Sequence, residues 1–124
     1  MPNSFTDLTI WQKSHKLTLE IYQITSDWPK EEIYGLISQI RRAAVSTELI
    51  IAEGHSRYYP KDIIRFMYDS RASAEEVRNC LMIARDINKF NVSLEKFKML
   101  NEEYLGLIRG INSFINSQKK GMNH

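Results

Sequence analysis

The chain has 124 residues, of which 43% are hydrophobic and 26% charged, and its net charge is only +2. This length suits one domain around a single core, so residues 1–124 are expected to form one domain. A charge so close to zero does not by itself indicate a polyanionic partner. Five glycines and three prolines are too few for a many-stranded sheet protein, so the composition predicts a few long helices.

The compartment is predicted from what the sequence lacks. Cys80 is the only cysteine, which excludes an internal disulfide and suits a reducing compartment. No run of about 18 apolar residues occurs, and the polar first seven residues lack the apolar core of a signal peptide. We therefore expect a cytoplasmic protein that is neither exported nor embedded in a membrane.

Two helices are predicted in the first half of the chain from apolar residues spaced three and four apart. The first covers roughly Leu8–Ser26, with Asp7 as its N-cap. The second begins near Glu31 and Glu32, acids suited to the positive end of a helix dipole. Gly54 is expected to stop it.

Two more helices are predicted in the second half. Pro60 suits a first-turn position, and a heptad seam then runs from Ile63 to Ala84, which predicts the longest helix of the four. Ser93 is the expected N-cap of the fourth helix. The polar tail at about residues 119–124 is expected to fray.

Short connections between four amphipathic helices predict an all-α, antiparallel up-and-down four-helix bundle. Small residues should allow close packing between helices. Ser70, Ser73 and Ala74 on the third helix and Gly106 and Gly110 on the fourth predict that these two helices pass closely.

Residues for catalysis or metal binding are sparse. The three histidines, His15, His55 and His124, form no Glu-x-x-His pair of the kind that builds di-iron sites in bundles, and no nucleophile elbow or phosphate-binding glycine loop is found. Cys80 adjoins the seam and is expected to be an inert buried thiol. The sequence therefore predicts no catalytic residue, no metal, no cofactor and no enzyme activity. A subunit-interface site that joins His55 and Glu53 of neighbouring chains is the weaker alternative.

The second helix is apolar on two sides, and a second apolar face is commonly buried against another subunit. On a helical wheel, a stripe of four residues lies opposite the core positions: Arg42, Ser46, Leu49 and Glu53. Val45 and Ile50 flank this stripe. We predict that these residues form an oligomer interface. Arg42 and Glu53 lie too far apart to pair with each other, which leaves interfacial ion pairs or a ligand-binding role as alternatives.

Basic residues are concentrated on one flank of the third-helix seam and beyond its end: Arg71, Arg78, Arg85 and Lys89, with Asp62, Asp69 and Glu76 on the other flank. Complementary flanks suit head-to-tail contacts that close into a ring. The alternatives are a phosphate-binding stripe and a solvated face with pairs such as Glu75 with Arg71. Three further cations are expected near the second connection and complete the candidate nucleic-acid site: Arg41, Arg57 and Lys61.

Several segments together strongly resemble one small bacterial family. They are Gln39–Ser46, Ile51–Gly54 with Arg57, the opening Phe5–Lys13, and Ser73, Glu76 and Leu81. The family comprises four-helix-bundle proteins encoded in intervening sequences of 23S ribosomal RNA genes. Ile50 and Ser56 depart from its pattern, which usually has asparagine and glycine there.

The resemblance implies an up-and-down bundle, a ring-like homopentamer and a bacterial cytoplasmic setting. It also implies a distant relation to the accessory proteins of diversity-generating retroelements, which bind nucleic acid and a reverse transcriptase. The first functional hypothesis is thus a non-enzymatic oligomeric scaffold that contacts RNA or a nucleic-acid enzyme. The second is a purely structural self-assembling protein with an unidentified protein partner. Salt-dependent RNA binding would distinguish the first from the second. We expect this binding to be weak, and loss of Arg78 and Arg85 to flatten the dependence of affinity on salt.

Overall fold

Four α-helices build the computed structural model, which describes residues 4–122. They are α1 (Thr9–Thr25), α2 (Leu36–His55), α3 (Pro60–Asp86) and α4 (Leu94–Met122), with short 3-10 turns at Phe5–Asp7, Lys30–Glu32 and Asn88–Phe90. Each helix packs against its neighbours in the chain, and α1 closes on α4. Within these described residues, no backbone contact crosses a diagonal of the bundle. The predicted all-α, antiparallel up-and-down four-helix bundle is confirmed.

All four helices contribute side chains to the core. Its fully buried members follow the three-and-four spacing seen in the sequence: Leu17, Ile21, Ile40, Ile51, Met67, Val77, Leu81, Leu100, Leu107 and Ile111. Apolar burial of this kind is the main favourable term in folding. The predicted seam of α3 is buried from Met67 to Ala84, whereas Ile63, at its start, is only half-buried.

The beginning of α2 differs from the prediction. Glu31 and Glu32 belong to a separate 3-10 turn, and the α-helix begins at Leu36, because Gly35 has a non-helical backbone with φ −108° and ψ −117°. The Leu36 N–H donates a hydrogen bond of 3.1 Å to Glu32 Oε1. Glu32 therefore caps α2 from outside the helix, where a free N–H group needs an acceptor.

Gly54 does not stop α2, which continues to His55. Gly54 is buried where α2 meets α3, and a Cβ atom there would lie 2.8 Å from both Phe66 Cβ and Met67 Cε. The glycine is needed for close approach of the two helices, so the predicted C-terminal stop was wrong.

Helix starts were predicted with mixed success. Asp7 lies in the 3-10 turn before α1, whose actual N-cap, Leu8, makes no side-chain capping bond, so that assignment was wrong. Ser93 is confirmed as the cap of α4, because its Oγ accepts a hydrogen bond of 3.0 Å from Lys96 N–H. Pro60 is confirmed in the first turn of α3.

The fourth helix, with 29 residues, exceeds the 27 of α3, so α3 is not the longest. The expected frayed tail is helical as far as Met122. Lys119 lies 5.6 Å from the centre of the Tyr68 ring. Residues 123–124 of the predicted tail lie outside the described residues.

The small residues of α3 face α2, not α4. Ser70 Oγ donates a hydrogen bond of 2.8 Å to the Thr47 carbonyl, and Ser73 Oγ lies 3.1 Å from Ser46 Oγ. Short hydroxyl side chains let the α2 and α3 backbones approach while their polar groups stay paired.

The two glycines of α4 face α1. A Cβ at Gly110 would lie 3.2 Å from Ile10 Cγ2, and one at Gly106 would lie 2.6 Å from Lys13 Nζ. The expectation that they serve the contact between α3 and α4 was therefore wrong, because they make room for side chains of α1.

The two ends of the bundle are built differently. At one end the α1–α2 and α3–α4 connections meet, where Trp28 and Phe90 pack edge to face at 5.0 Å and Lys89 lies 3.0 Å from Glu32. At the other end the α2–α3 connection leaves Tyr58 and Tyr59 exposed. The first end is closed by these contacts, although Tyr34 is exposed there, and the second presents two adjacent tyrosines to solvent.

Candidate interaction surfaces

The outer face of α2 comprises Arg42, Val45, Ser46, Leu49, Ile50 and Glu53. Arg42, Leu49 and Glu53 are exposed, and Leu49 keeps 53% of its surface accessible. Val45 and Ile50 are half-buried beside them, and so is Ser46, which also contacts Ser73 of α3. The outward orientation holds for Arg42, Leu49 and Glu53, whereas Ser46 lies against α3, and the use of this face as an oligomer interface stays a prediction.

Apolar exposure continues from α2 onto α1, which the sequence analysis missed. Tyr22 and Ile33 are 42% and 54% exposed and line a shallow groove of about 370 Å³ together with Val45 and Arg42. Leu19, 58% exposed, lies one turn before Tyr22 on the same stripe of α1. The sequence did contain a sign of this exposed surface, because Leu19 and Tyr22 are apolar residues that lie outside the core positions of their helix.

Three of the seven candidate RNA-binding cations already have carboxylate partners. Arg78 Nη1 lies 2.8 Å from Glu75, Arg85 Nε lies 2.8 Å from Asp86, and Lys89 lies 3.0 Å from a carboxylate of the turn before α2. The hydrogen bond between Arg85 and Asp86 lowers the pKa of the carboxyl group and raises that of the guanidinium. The positive charges of Arg78, Arg85 and Lys89 are therefore partly neutralised within the subunit.

Arg71 is held between α3 and α4. Its Nη1 donates a hydrogen bond of 2.6 Å to Asn112 Oδ1, and its guanidinium lies 4.8 Å from the centre of the Tyr68 ring. Glu75 pairs with Arg78, whereas the sequence suggested a pair with Arg71. Arg71 is thus a half-buried cation whose contacts are with neutral side chains.

Arg41 lies far from the α2–α3 connection, contrary to the prediction. Its Nε donates to Thr25 Oγ1 at 2.8 Å and its Nη2 to the Tyr22 carbonyl at 3.3 Å, so it closes the C-terminal end of α1. The helix rises about 21 Å from Arg41 to its end at His55, and Arg57 follows two residues later. Arg41 and Arg57 therefore belong to opposite ends of the bundle.

The α2–α3 connection carries what we name the loop patch: Arg57, Tyr58, Tyr59, Lys61 and Arg65. Tyr58 and Tyr59 are 85% and 64% exposed, with ring centres 5.0 Å apart and planes at 83°. Arg57 and Arg65 lie 4.6 and 5.5 Å from the ring centre of Phe66. Arg65 has a carboxylate 3.9 Å away, whereas Arg57 and Lys61 form no ion pair within residues 4–122.

Reactive side chains are few and dispersed. His15 Nδ1 lies 3.0 Å from Glu48 and its ring stacks on Trp11, while burial and then the charge of Glu76 raise the pKa of the Cys80 thiol. Among the residues described, no group of three or more His, Cys, Asp or Glu side chains is placed to hold a metal ion. In that same part of the chain, no helix is both long and apolar enough to cross a bilayer. His124 lies outside the described residues.

Most of the chain, including nearly all of the residues described above, matches a protein-family model. Residues 6–113 match the model of the 23S rRNA-intervening sequence protein. The chain belongs to this family. The family resemblance predicted from the sequence is thereby confirmed. A search of curated proteins found no match.

In this 23S rRNA-intervening sequence protein, the residues that carry the resemblance serve mainly the fold. Ala43, Ala44 and Ile51 are buried in the core, Gly54 permits the contact with α3, and Arg41 closes the end of α1. The central motif therefore specifies how α2 packs.

The two departures from the family pattern have local explanations. Ile50 adds half-buried apolar surface to the outer face of α2. Ser56 has an ordinary right-handed helical backbone with φ −78° and donates a hydrogen bond of 2.6 Å to the Glu53 carbonyl. No glycine is needed at this position, because the chain leaves the helix without a positive φ.

Proposed function

We propose that this 23S rRNA-intervening sequence protein is a non-enzymatic, self-assembling bundle of the bacterial cytoplasm that binds RNA. Each subunit supplies one apolar face for assembly and one cationic end for RNA. The observation that carries the RNA part is the uneven pairing of the cations. Arg78, Arg85 and Lys89 contact carboxylates of their own subunit, whereas Arg57 and Lys61 form no ion pair within residues 4–122.

Assembly rests on the outer face of α2 and its extension on α1. Leu49 exposes apolar surface on α2, and Tyr22 and Ile33 expose more beside Val45 in the groove between the helices, so a monomer leaves this surface in water. Arg42 and Glu53, exposed at the two ends of this face, are suited to ion pairs across a subunit contact. We propose a ring, with a homopentamer as the specific form.

RNA binding rests on charge placed where neighbouring carboxylates do not cancel it. A lysine or arginine without an ion pair can release a condensed counterion from a phosphate, which is the main sequence-independent source of affinity. A ring would repeat Arg57 and Lys61 in every copy, so several weak phosphate contacts add. The binding should be weak for one subunit and show little sequence preference.

The test is the affinity for a labelled RNA measured by fluorescence anisotropy across a series of salt concentrations. Arg57→Gln with Lys61→Gln should lower the slope of log affinity against log salt by about one or more, since each phosphate contact contributes about 0.7 to 0.9. The matched control is Arg78→Gln with Arg85→Gln, which removes the same charge from positions that are already paired. It should lower the slope less.

Two results would contradict the proposal. Absence of RNA retention near 50 mM salt by an intact oligomer would remove the RNA claim, because counterion release is strongest at low salt. Equal slopes for both double variants would show that the pairing of the cations is irrelevant.

The alternative function is a purely structural assembly with a protein partner. The internal pairing of Arg78, Arg85 and Lys89 favours it, because these residues otherwise form the most continuous basic stripe of the chain. An oligomer that binds no RNA would be explained by this alternative.

A further inference from the structure

The proposed function uses the cations of the loop patch but leaves its two tyrosines without a role. Tyr58 and Tyr59 project from the connection at 85% and 64% exposure, so neither ring contributes much to the core. The fold needs only the backbone here: the Tyr59 carbonyl accepts hydrogen bonds of 3.0 and 3.1 Å from the N–H groups of Asp62 and Ile63 at the start of α3. The side chains are therefore available for a ligand on a rigid support.

We propose that Tyr58 and Tyr59 stack on unpaired bases of single-stranded RNA. This inference rests on the proposed function and adds the class of RNA that the site recognises. Proteins that bind single strands combine cations that follow the phosphates with aromatic rings on which the bases stack, and such stacking tolerates any sequence. The loop patch holds both kinds of group within nine residues, from Arg57 to Arg65.

The geometry of the patch fits this ligand. Arg57 precedes the tyrosines and Lys61 follows them, which places a cation on each side of the aromatic pair in the chain. Because the ring planes stand at 83° to each other, they cannot both join one continuous stack, so each ring is available to a separate base. Tyr58, the more exposed, offers the larger platform.

The orientation of Arg57 supports phosphate binding beside the rings. Its guanidinium centre lies 4.6 Å from the Phe66 ring centre, a cation–π contact that orients the group without neutralising its charge. A carboxylate partner would have oriented it as well but cancelled the charge. Arg57 therefore keeps its positive charge at the position next to Tyr58 in the chain.

Selectivity for single strands follows from access. Bases in an RNA duplex are stacked on each other, and side chains cannot stack on their faces without opening the helix. The cations of the patch bind phosphates of either form, whereas the tyrosines bind only bases that are already free.

The experiment compares anisotropy titrations of a single strand of about 12 nucleotides and its duplex, at low salt and then across a series of salt concentrations. Tyr58→Ala with Tyr59→Ala should weaken single-strand binding at least about five-fold, the loss of one base stack, and leave duplex binding and the salt slope unchanged. Tyr58→Phe with Tyr59→Phe should retain the affinity because the ring remains. Tyr58→Leu with Tyr59→Leu should lose it as the alanine pair does.

A tyrosine elsewhere on the chain gives a matched control. Tyr34 is 95% exposed in the turn before α2, at the closed end of the bundle, and Tyr34→Ala should leave both titrations unchanged. The oligomeric mass of each variant, measured by light scattering, is expected to equal that of the unmodified chain.

The outcomes separate this inference from the proposed function. Wild-type binding to RNA that is unaffected by the alanine pair, or an equal loss for single strand and duplex, would overturn the stacking and leave RNA binding intact. Dissociation of the oligomer by the alanine pair would show that the tyrosines form a subunit contact, which also overturns it. If the unmodified chain binds neither RNA, both proposals fail.

Discussion

At the scale of single residues, Glu32 does two tasks in the turn before α2. One carboxylate oxygen accepts the Leu36 N–H and the other lies 3.0 Å from Lys89 Nζ. The hydrogen bond from Lys89, then that from Leu36, lowers the pKa of Glu32 below its ordinary value of 4.5. Glu32 thus joins the α1–α2 connection to the α3–α4 connection.

This arrangement predicts a specific loss of stability in acid. A carboxyl group whose pKa is lowered by folding stabilises the fold above its ordinary pKa of 4.5, and the stabilisation is lost as the pH falls through the folded value. Glu32→Gln should therefore lower the free energy of unfolding at pH 7 and make its fall toward acid shallower, in urea titrations at several pH values. The effect should be small, because Lys89 is 43% exposed and solvent screens the pair.

Glu31→Gln is the control for this prediction. Glu31 lies 3.6 Å from the same Lys89 but is 69% exposed and caps nothing. Its substitution should change stability less than Glu32→Gln. Equal effects of the two variants would show that the cap and the short hydrogen bond of Glu32 do not matter.

Residue roles were predictable where they depend on local sequence. Pro60 and Ser93 were assigned correctly because a first-turn proline and a serine cap act on their own backbone within a few residues. The roles of Glu32 and Gly54 were not, because Lys89 and Phe66, which define them, lie on other elements. Arg78 and Arg85 are a different case, because their partners Glu75 and Asp86 lie three residues and one residue away on the same helix, and the sequence analysis did not assign these pairs.

At the scale of elements, the contact between α2 and α3 depends on small residues. Gly54, Ser46, Ser70 and Ser73 line it, and their size sets the separation of the helices. Ridges of larger side chains would separate the axes. This explains why α2 and α3 share the most extensive contact in the bundle.

Substitution of Gly54 tests this packing. Alanine is favoured over glycine in a helix by about 1 kcal/mol, so Gly54→Ala would stabilise the protein if space allowed. A Cβ only 2.8 Å from Phe66 Cβ should instead overpack the contact at a cost of about 1 to 3 kcal/mol. After the helix gain is subtracted, we expect a net loss of up to about 2 kcal/mol in the free energy of unfolding. Chemical denaturation measures it.

Gly121→Ala provides the matched control, since a Cβ there meets nothing within 4 Å. It should be neutral or stabilise by up to about 1 kcal/mol. A stabilising Gly54→Ala would contradict the packing account and restore the simple role of Gly54 near a helix end.

The number, direction and order of the helices could be predicted from the sequence, but the contacts that the small residues serve could not. The spacing of Ser70, Ser73 and Ala74 shows that one side of α3 is small without showing which neighbour faces it. The late start of α2 depends on Gly35, whose backbone departs from the helix after a turn that itself has helical character. Local helix propensity does not decide whether this turn continues into α2 or stays separate from it.

At the scale of the whole molecule, the closed and open ends differ in composition. The closed end buries Trp28 against Phe90 and pairs Lys89 with Glu32, although Tyr34 is exposed there, while the open end exposes Tyr58 and Tyr59 between Arg57 and Lys61 in the chain. The outer face of α2 was predicted from a helical wheel of its sequence. That prediction missed the contribution of Leu19, Tyr22 and Ile33, because joining surfaces of different elements requires the tertiary arrangement.

The central claim is that the assembled protein binds RNA, and sedimentation of the unmodified chain with a fluorescent single-stranded RNA tests it most directly. The account predicts that the RNA moves with a species several times the 14.6 kDa of one chain, five times for the proposed pentamer. Leu49→Glu should shift the protein to the monomer mass, since a carboxylate buried in the contact would be unpaired. An unmodified chain that sediments at 14.6 kDa, or an RNA that sediments alone beside the oligomer, would contradict the account.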